Sequence, residues 1–288
     1  MSLGGSSQVR GLRMKSDDGT GFALIGMGPG KVDSMTLEAV EVAKNADVRL
    51  YEAYTALWPE DELERLETMI GPIERIMRPA VERPETLFEQ AKNKLVAILV
   101  VGDPMQATTH IDFQLRAEKE EIPVRVIHGI SVTTLVPGST GLSDYKFGRS
   151  TTLTYPYGDW VVTSPLEVML RNKEQGLHTL VLFDLDPTGA GTGDQRPMQP
   201  QDALVSIEKM VEKLGHSEVE KSIKQQASDL FDSEIVLCCD LGTNDAFLKT
   251  TTVGRSSQPF GREIELHGLL SQHVGDGTRS HKSMEVMK

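Results

Sequence analysis

Cysteine is nearly missing from this chain: there are two in 288 residues, and those two, Cys238 and Cys239, are neighbours. Adjacent cysteines rarely bridge and no CxxC pair exists, so both are read as reduced core residues pointing to opposite faces of a strand. Basic charge is in deficit, with a net charge of −12 and a pI near 5.1. That excludes a groove that holds nucleic acid by neutralising its phosphates with Lys and Arg. Long hydrophobic runs are absent as well. The longest, LVAILVV at Leu95 to Val101, falls far short of the ~20 residues that span a bilayer. With no signal peptide visible, a cytoplasmic protein without a membrane anchor is expected. No second ligand stands at metal-like spacing from His128 or His178, so no metal site is expected.

What is present is a globular α/β pattern, 39% apolar and 25% charged, long enough for two domains of ordinary size. Residues 1–20 are Gly, Ser and charge without period, and read as a disordered leader. Phe22 to Ile25 is a short strand leading into GMGPG (Gly26 to Gly30), after which Ser34 or Thr36 caps a helix with Leu37, Val40 and Ala43 on one face. Val48 to Tyr51, ending in Glu52, completes a βαβ unit, the basis of a parallel sheet with right-handed crossovers. An acidic helix EDELERLETMI, a strand piece near Ile76 and a helix near Glu85 to Lys92 then lead to the central strand.

The stretch GDPMQATTH (Gly102 to His110) follows that strand. Glycine lets the chain turn off the strand end, Asp103 puts a carboxylate there, Pro104 stiffens the exit, and Thr108 or Thr109 caps the next helix. A strand, a sharp loop and a helix start form a ligand crevice in an open parallel sheet. His110, just inside that helix, reads as a capping or packing histidine. Helix 111–120 and strand PVRVIH (Pro123 to His128) follow, and Pro137 with Gly138, Gly141 and Gly148 breaks up any long helix, which puts a domain boundary near residue 148.

The second half offers strands at Thr151 to Tyr155 and His178 to Asp186, a helix at Pro165 to Gln175 and a Gly- and Pro-rich surface loop at Pro187 to Pro200. A helix with Leu204, Ile207, Val211 and Leu214 on one face follows, then a charged helix, the strand EIVLCC and two more strands at Phe247 to Val253 and Ile264 to Leu270. The domains expected are 21–148 and 149–271, with 272–288 a flexible tail.

GMGPG with Glu52 leaves open a dinucleotide-dependent oxidoreductase, Glu52 standing about where such a fold places its ribose acid. Against this, the motif is GxGxG rather than GxGxxG, and Pro29 removes a backbone donor that a pyrophosphate needs.

Several stretches together resemble the diphthine synthase family of the tetrapyrrole-methylase-like class: strand-GxGxG, RLYEAYTA (Arg49 to Ala56), VVGDPMQATTH (Val100 to His110), RVIHGIS (Arg125 to Ser131), YKFG (Tyr145 to Gly148) and GLHTLVLFDL (Gly176 to Leu185). The resemblance implies two α/β domains, an N-terminal parallel sheet and a C-terminal mixed sheet, with S-adenosyl-L-methionine in the cleft between them, and a homodimer. It implies methylation of the amino group of the 3-amino-3-carboxypropyl substituent on the modified histidine of translation elongation factor 2. Carried over residue by residue, the cofactor contacts are Pro29, Asp103, Gln106, Ser131, Val132, Phe183, Leu241 and His267; no catalytic side chain is assigned. The family's basic residue after the second central strand is replaced in Asp184-Leu185-Asp186, and its Ala-Arg-Ala-Gly by Cys239-Asp240-Leu241-Gly242. Those losses keep a precorrin-type tetrapyrrole methylase open as the alternative acceptor chemistry.

Overall fold

The computed structural model describes residues 19–106, 110–158, 160–189, 195–214, 229–256 and, for the backbone alone, 269–272. Strand β1 (Gly21–Gly26) is buried along its whole length because both of its faces carry core. Ala23 and Ile25 pack into one apolar cluster and Phe22 and Leu24 into another, as continuous apolar runs do in parallel sheets covered on both sides. Helix α1 (Leu37–Asn45), β2 (Val48–Glu52), α2 (Glu60–Ile70), β3 (Glu74–Ile76), α3 (Arg78–Glu82), α4 (Glu85–Ala91), β4 (Leu95–Val100), α5 (His110–Lys119) and β5 (Val124–Ile127) follow. The sheet order is β3-β2-β4-β1-β5, and every pair is parallel.

Helices α1 and α2 cover one face through Ala39, Ala43, Leu63, Leu66 and Ile70. On the other face Phe88 of α4 and Phe113 of α5 meet Phe22, with ring centroids 4.8 to 5.7 Å apart. Thr36 caps α1, its side chain accepting from the Ala39 amide. Of the face expected for α1, Ala43 is buried and Val40 packs against the core, but Leu37 does not. Leu37 is 90% exposed and Ala39 is buried beside Ala43, since small side chains let a helix lie close on the sheet.

Helix α6 (Val132–Thr140) runs through Pro137, where a break was expected. It sends Val136 against Leu180, Cys238 and Leu241 of the second half. There, β6 (Thr151–Leu153), α7 (Ser164–Glu174), β7 (Thr179–Phe183), α8 (Pro200–Leu214), β8 (Glu234–Cys239), β9 (Phe247–Thr252) and β10 (Leu269–Gln272) form a mixed sheet ordered β6-β7-β10-β8-β9. Only β6 and β7 are parallel; β10 runs antiparallel to both β7 and β8.

Helix α8 buries Ala203, Ser206, Ile207 and Met210, whereas Leu204, Val211 and Leu214 of the expected stripe are only partly covered. Both cysteines are free and buried on β8, and burial pushes each thiol up to about 12. Residues 1–18, the Thr108 and Thr109 caps, the charged helix expected before β8, most of the strand expected at 264–270 and the tail beyond 272 lie outside the described residues. No helix among the described residues is long and apolar enough to cross a membrane.

Candidate functional site

A cavity of about 200 Å³ opens where the carboxyl ends of the first sheet face the second, the place where open parallel sheets take ligands. The loop after β1 contributes Pro29, the segment after β2 contributes Thr55 to Leu57 and Pro59, and the loop after β4 contributes Val101 to Asp103 and Gln106. The start of α6 adds Ser131 to Thr133. From the second half come Leu182, Phe183 and Leu185 at the end of β7, and Asp240, Leu241 and Thr243 after β8.

The strand ends are held close by glycine. A Cβ on Gly129 would lie 2.2 Å from the Gly102 carbonyl oxygen, so only glycine fits. Gly28 and Gly102 exchange backbone hydrogen bonds of 3.2 and 2.8 Å, tying GMGPG to the GDP loop. Asp103 ties that loop to the segment after β5. Its Oδ1 accepts from the Met105 amide at 2.8 Å, and its Oδ2 accepts from the Gly129 amide at 3.2 Å and from His128 Nδ1 at 2.8 Å. Ser131 caps α6, its Oγ accepting from the Thr133 amide at 3.2 Å and fixing the first turn at the cavity wall.

Of the eight residues expected to contact the cofactor, the structure brings seven to this one cavity: Pro29, Asp103, Gln106, Ser131, Val132, Phe183 and Leu241. His267 lies outside the described residues. The wall at Thr55 to Pro59 was not foreseen; YEAYTA reaches only Ala56, and no residue of the wall itself carries a charge to single it out.

Glu52 is 1% exposed. Its Oε1 accepts from the Thr55 amide at 2.9 Å and its Oε2 stands 3.7 Å from His110 Nε2, so it is not presented to a ribose. The Gly28 amide is already bonded to Gly102, and α1 begins at Leu37, well beyond the glycines. No α-helix N-terminus therefore meets GMGPG as dinucleotide binding requires, only a three-residue 3-10 turn at Val32–Ser34. His110 is fully buried, as a packing histidine. In TYPYGDW, Tyr157 and Trp160 stack at 5.9 Å across a tight turn and Tyr155 is buried, its hydroxyl donating to the Arg196 carbonyl at 3.0 Å. Among the described residues no cluster of His, Cys, Asp or Glu is placed to hold a metal ion.

Two α/β halves with a cavity between them, closed by loops from the carboxyl ends of the first sheet, define a class. The chain belongs to the tetrapyrrole (corrin/porphyrin) methylase family, whose model matches residues 21–255, and it is a methyltransferase that uses S-adenosylmethionine as methyl donor. Within that class its relatives are diphthine synthases. It is 33% identical over 190 residues to diphthine synthase of Methanospirillum hungatei, covering 65% of this chain and 73% of the relative. It is 39% identical over 168 residues to that of Methanocella arvoryzae, covering 57% and 65%. A crystal structure of a putative diphthine synthase from Entamoeba histolytica superimposes with a TM-score of 0.73 at 25% identity, covering 94% of this chain and 99% of that one.

Proposed function

We propose that this protein is a diphthine synthase. It methylates the amino group of the 3-amino-3-carboxypropyl-histidine of elongation factor 2, working in the cytoplasm as a homodimer of chains divided into domains 21–148 and 149–271. The observation that carries the reading is the convergence of Pro29, Asp103, Gln106, Ser131, Val132, Phe183 and Leu241 on one cavity, reached from both sheets. We assign these residues, with His267, to the cofactor.

S-Adenosylmethionine supplies a methyl already activated by its sulfonium. The chain therefore has to hold the acceptor nitrogen in line with the carbon–sulfur bond and exclude water. Phe183, Leu182, Leu185 and Leu241 give the apolar wall that removes water. Ser131 and the Asp103 loop give the polar one. The attacking amine must first lose a proton. Both Asp103 oxygens accept hydrogen bonds, one from its own loop and the other from the segment after β5, and Asp184 is occupied likewise, its Oδ1 accepting from the Asp186 amide at 3.1 Å and its Oδ2 from the Tyr155 amide at 3.4 Å. Those bonds support structural roles for both carboxylates and leave the proton to water.

Calorimetric titration with S-adenosylhomocysteine and, separately, NADH tests the site, followed by methyl transfer to elongation factor 2 carrying the modified histidine. Binding of S-adenosylhomocysteine alone, with transfer to that acceptor, is the expected result. Binding without transfer would overturn the acceptor and favour a tetrapyrrole; binding of NADH alone would overturn the methylase.

A further inference from the structure

Glu52 and His110 are both buried, at 1% and 0% exposure, and neither lines the cavity. Each is bonded to a segment that does. Glu52 Oε1 accepts from the amide of Thr55, the first residue of the wall after β2. His110 Nδ1 lies 3.1 Å from the carbonyl oxygen of Pro104, inside the loop that carries Asp103 and Gln106. Across them Glu52 Oε2 and His110 Nε2 face each other at 3.7 Å.

The chemistry of the partners fixes where the protons sit. A carbonyl oxygen only accepts, so Nδ1 of His110 carries the hydrogen and donates it to Pro104. In the neutral ring Nε2 then turns a lone pair toward Glu52. A carboxylate against that lone pair repels it; a proton on either atom lets the two close from 3.7 Å into a hydrogen bond. We propose that Glu52 and His110 share one proton and act as a positioning couple, fixing the Thr55 wall at a set distance from the Asp103 loop and so holding the cavity at the width its ligand needs.

Burial agrees with this sharing: it raises Glu52 to about 7 and lowers His110, so that one proton is held where two ionised groups would be costly. Arg78 at the start of α3 also acts on Glu52, lowering it, and Glu52 in turn helps to raise Tyr51 on its own strand.

That the cavity holds S-adenosylmethionine rests on the function proposed above; the coupling of its walls does not, and the test separates the two. Amide hydrogen exchange of the full-length chain is followed over peptides covering 52–59 and 101–106, relative to intrinsic rates, in the wild type, E52A, H110A and E52Q without ligand. S-Adenosylhomocysteine is then titrated into each.

The couple predicts a cross-response. E52A speeds exchange in 101–106 as well as in its own segment, and H110A speeds 52–59 as well as its own. Each weakens S-adenosylhomocysteine by about tenfold or more. E52Q, whose amide offers Nε2 an N–H where Glu52 offers O–H, restores slow exchange and most of the affinity. Where the alanine variants fail to fold, pH replaces them. Raising it from about 6 to about 9 loosens both segments in the wild type and neither in E52Q.

Faster exchange confined to the mutated residue's own segment, or E52Q behaving like E52A, overturns the couple while leaving the cofactor reading intact. A wild type that shows the cross-response but binds no S-adenosylhomocysteine overturns the cofactor reading and leaves the couple standing.

Discussion

Gly242 and Pro29 meet across the joint between the two halves with no room for a side chain: a Cβ on Gly242 would fall 2.2 Å from Pro29 Cγ. Gly242 also holds a φ of +92°, a left-handed backbone that side chains resist. Gly242→Ala is therefore expected to lower stability by about 1 to 3 kcal/mol and to weaken S-adenosylhomocysteine by spreading Pro29 from Leu241. Thermal unfolding and calorimetry read both. Unchanged values in both would mean that the loop after β1 yields freely and does not define the cavity.

Asp103→Asn removes the charge and turns an amide N–H toward either the Met105 amide or the Gly129 and His128 donors. A loop held by three bonds to one carboxylate loses at least one of them, at a cost of about 1 to 3 kcal/mol for each donor left unpaired. Affinity for S-adenosylhomocysteine should fall by about tenfold or more, with a smaller effect on thermal stability because the loop lies outside the core. Affinity equal to wild type would remove Asp103 from the binding site.

The Glu52 and His110 pair predicts opposite pH slopes when it is split. In the unfolded chain Glu52 ionises near 4.5, and in the folded chain at about 7. Between those values the folded state binds more protons, and stability falls as pH rises. His110 is lowered from 6.5 on folding, so its contribution falls as pH drops below that value. In the wild type the two largely cancel between about pH 4.5 and 6.5. Relative to wild type, H110Q should lose stability with rising pH, by up to ~1.4 kcal/mol per pH unit, and E52Q should lose it with falling pH. Urea unfolding at several pH values measures this; slopes of one sign in both variants would contradict it.

Phe113 is 2% exposed and makes edge contacts with Phe22 at 4.8 Å and Phe88 at 5.5 Å. Phe113→Ala should cost about 3 to 5 kcal/mol, with S-adenosylhomocysteine affinity at the cavity retained in the folded fraction. A loss below about 1 kcal/mol in denaturant unfolding would mean that the cluster collapses around the gap.

The strands of the first sheet were legible because burial on both faces leaves uninterrupted apolar runs, as in LVAILVV, and the cavity loops because they follow those runs directly. The face of α1 was legible at Val40 and Ala43 but not in its first turn, since periodicity weighs Leu37 above alanine while packing distance on the sheet favours Ala39. The passage of α6 through Pro137 was hidden for a different reason. A nine-residue helix loses a single backbone donor there, and packing of Val136 on the second sheet outweighs that loss. The meeting of Glu52 with His110 depends on β2 lying beside β4 in the register that pairs Tyr51 with Leu99. Nothing local at either residue announces a partner so far along the chain.

The last of the described strands in sequence, β10, lies at the centre of the second sheet, between β7 and β8. Without it, β6 with β7 and β8 with β9 are two separate ladders, each with an unpaired edge. During synthesis the first sheet has all its strands once Ile127 has emerged, whereas the second waits for Gln272. At ribosomal speeds the delay is on the order of ten seconds. For that interval the β7 and β8 edges face each other across the place of a strand not yet made, and a nascent chain released early exposes both to any passing strand.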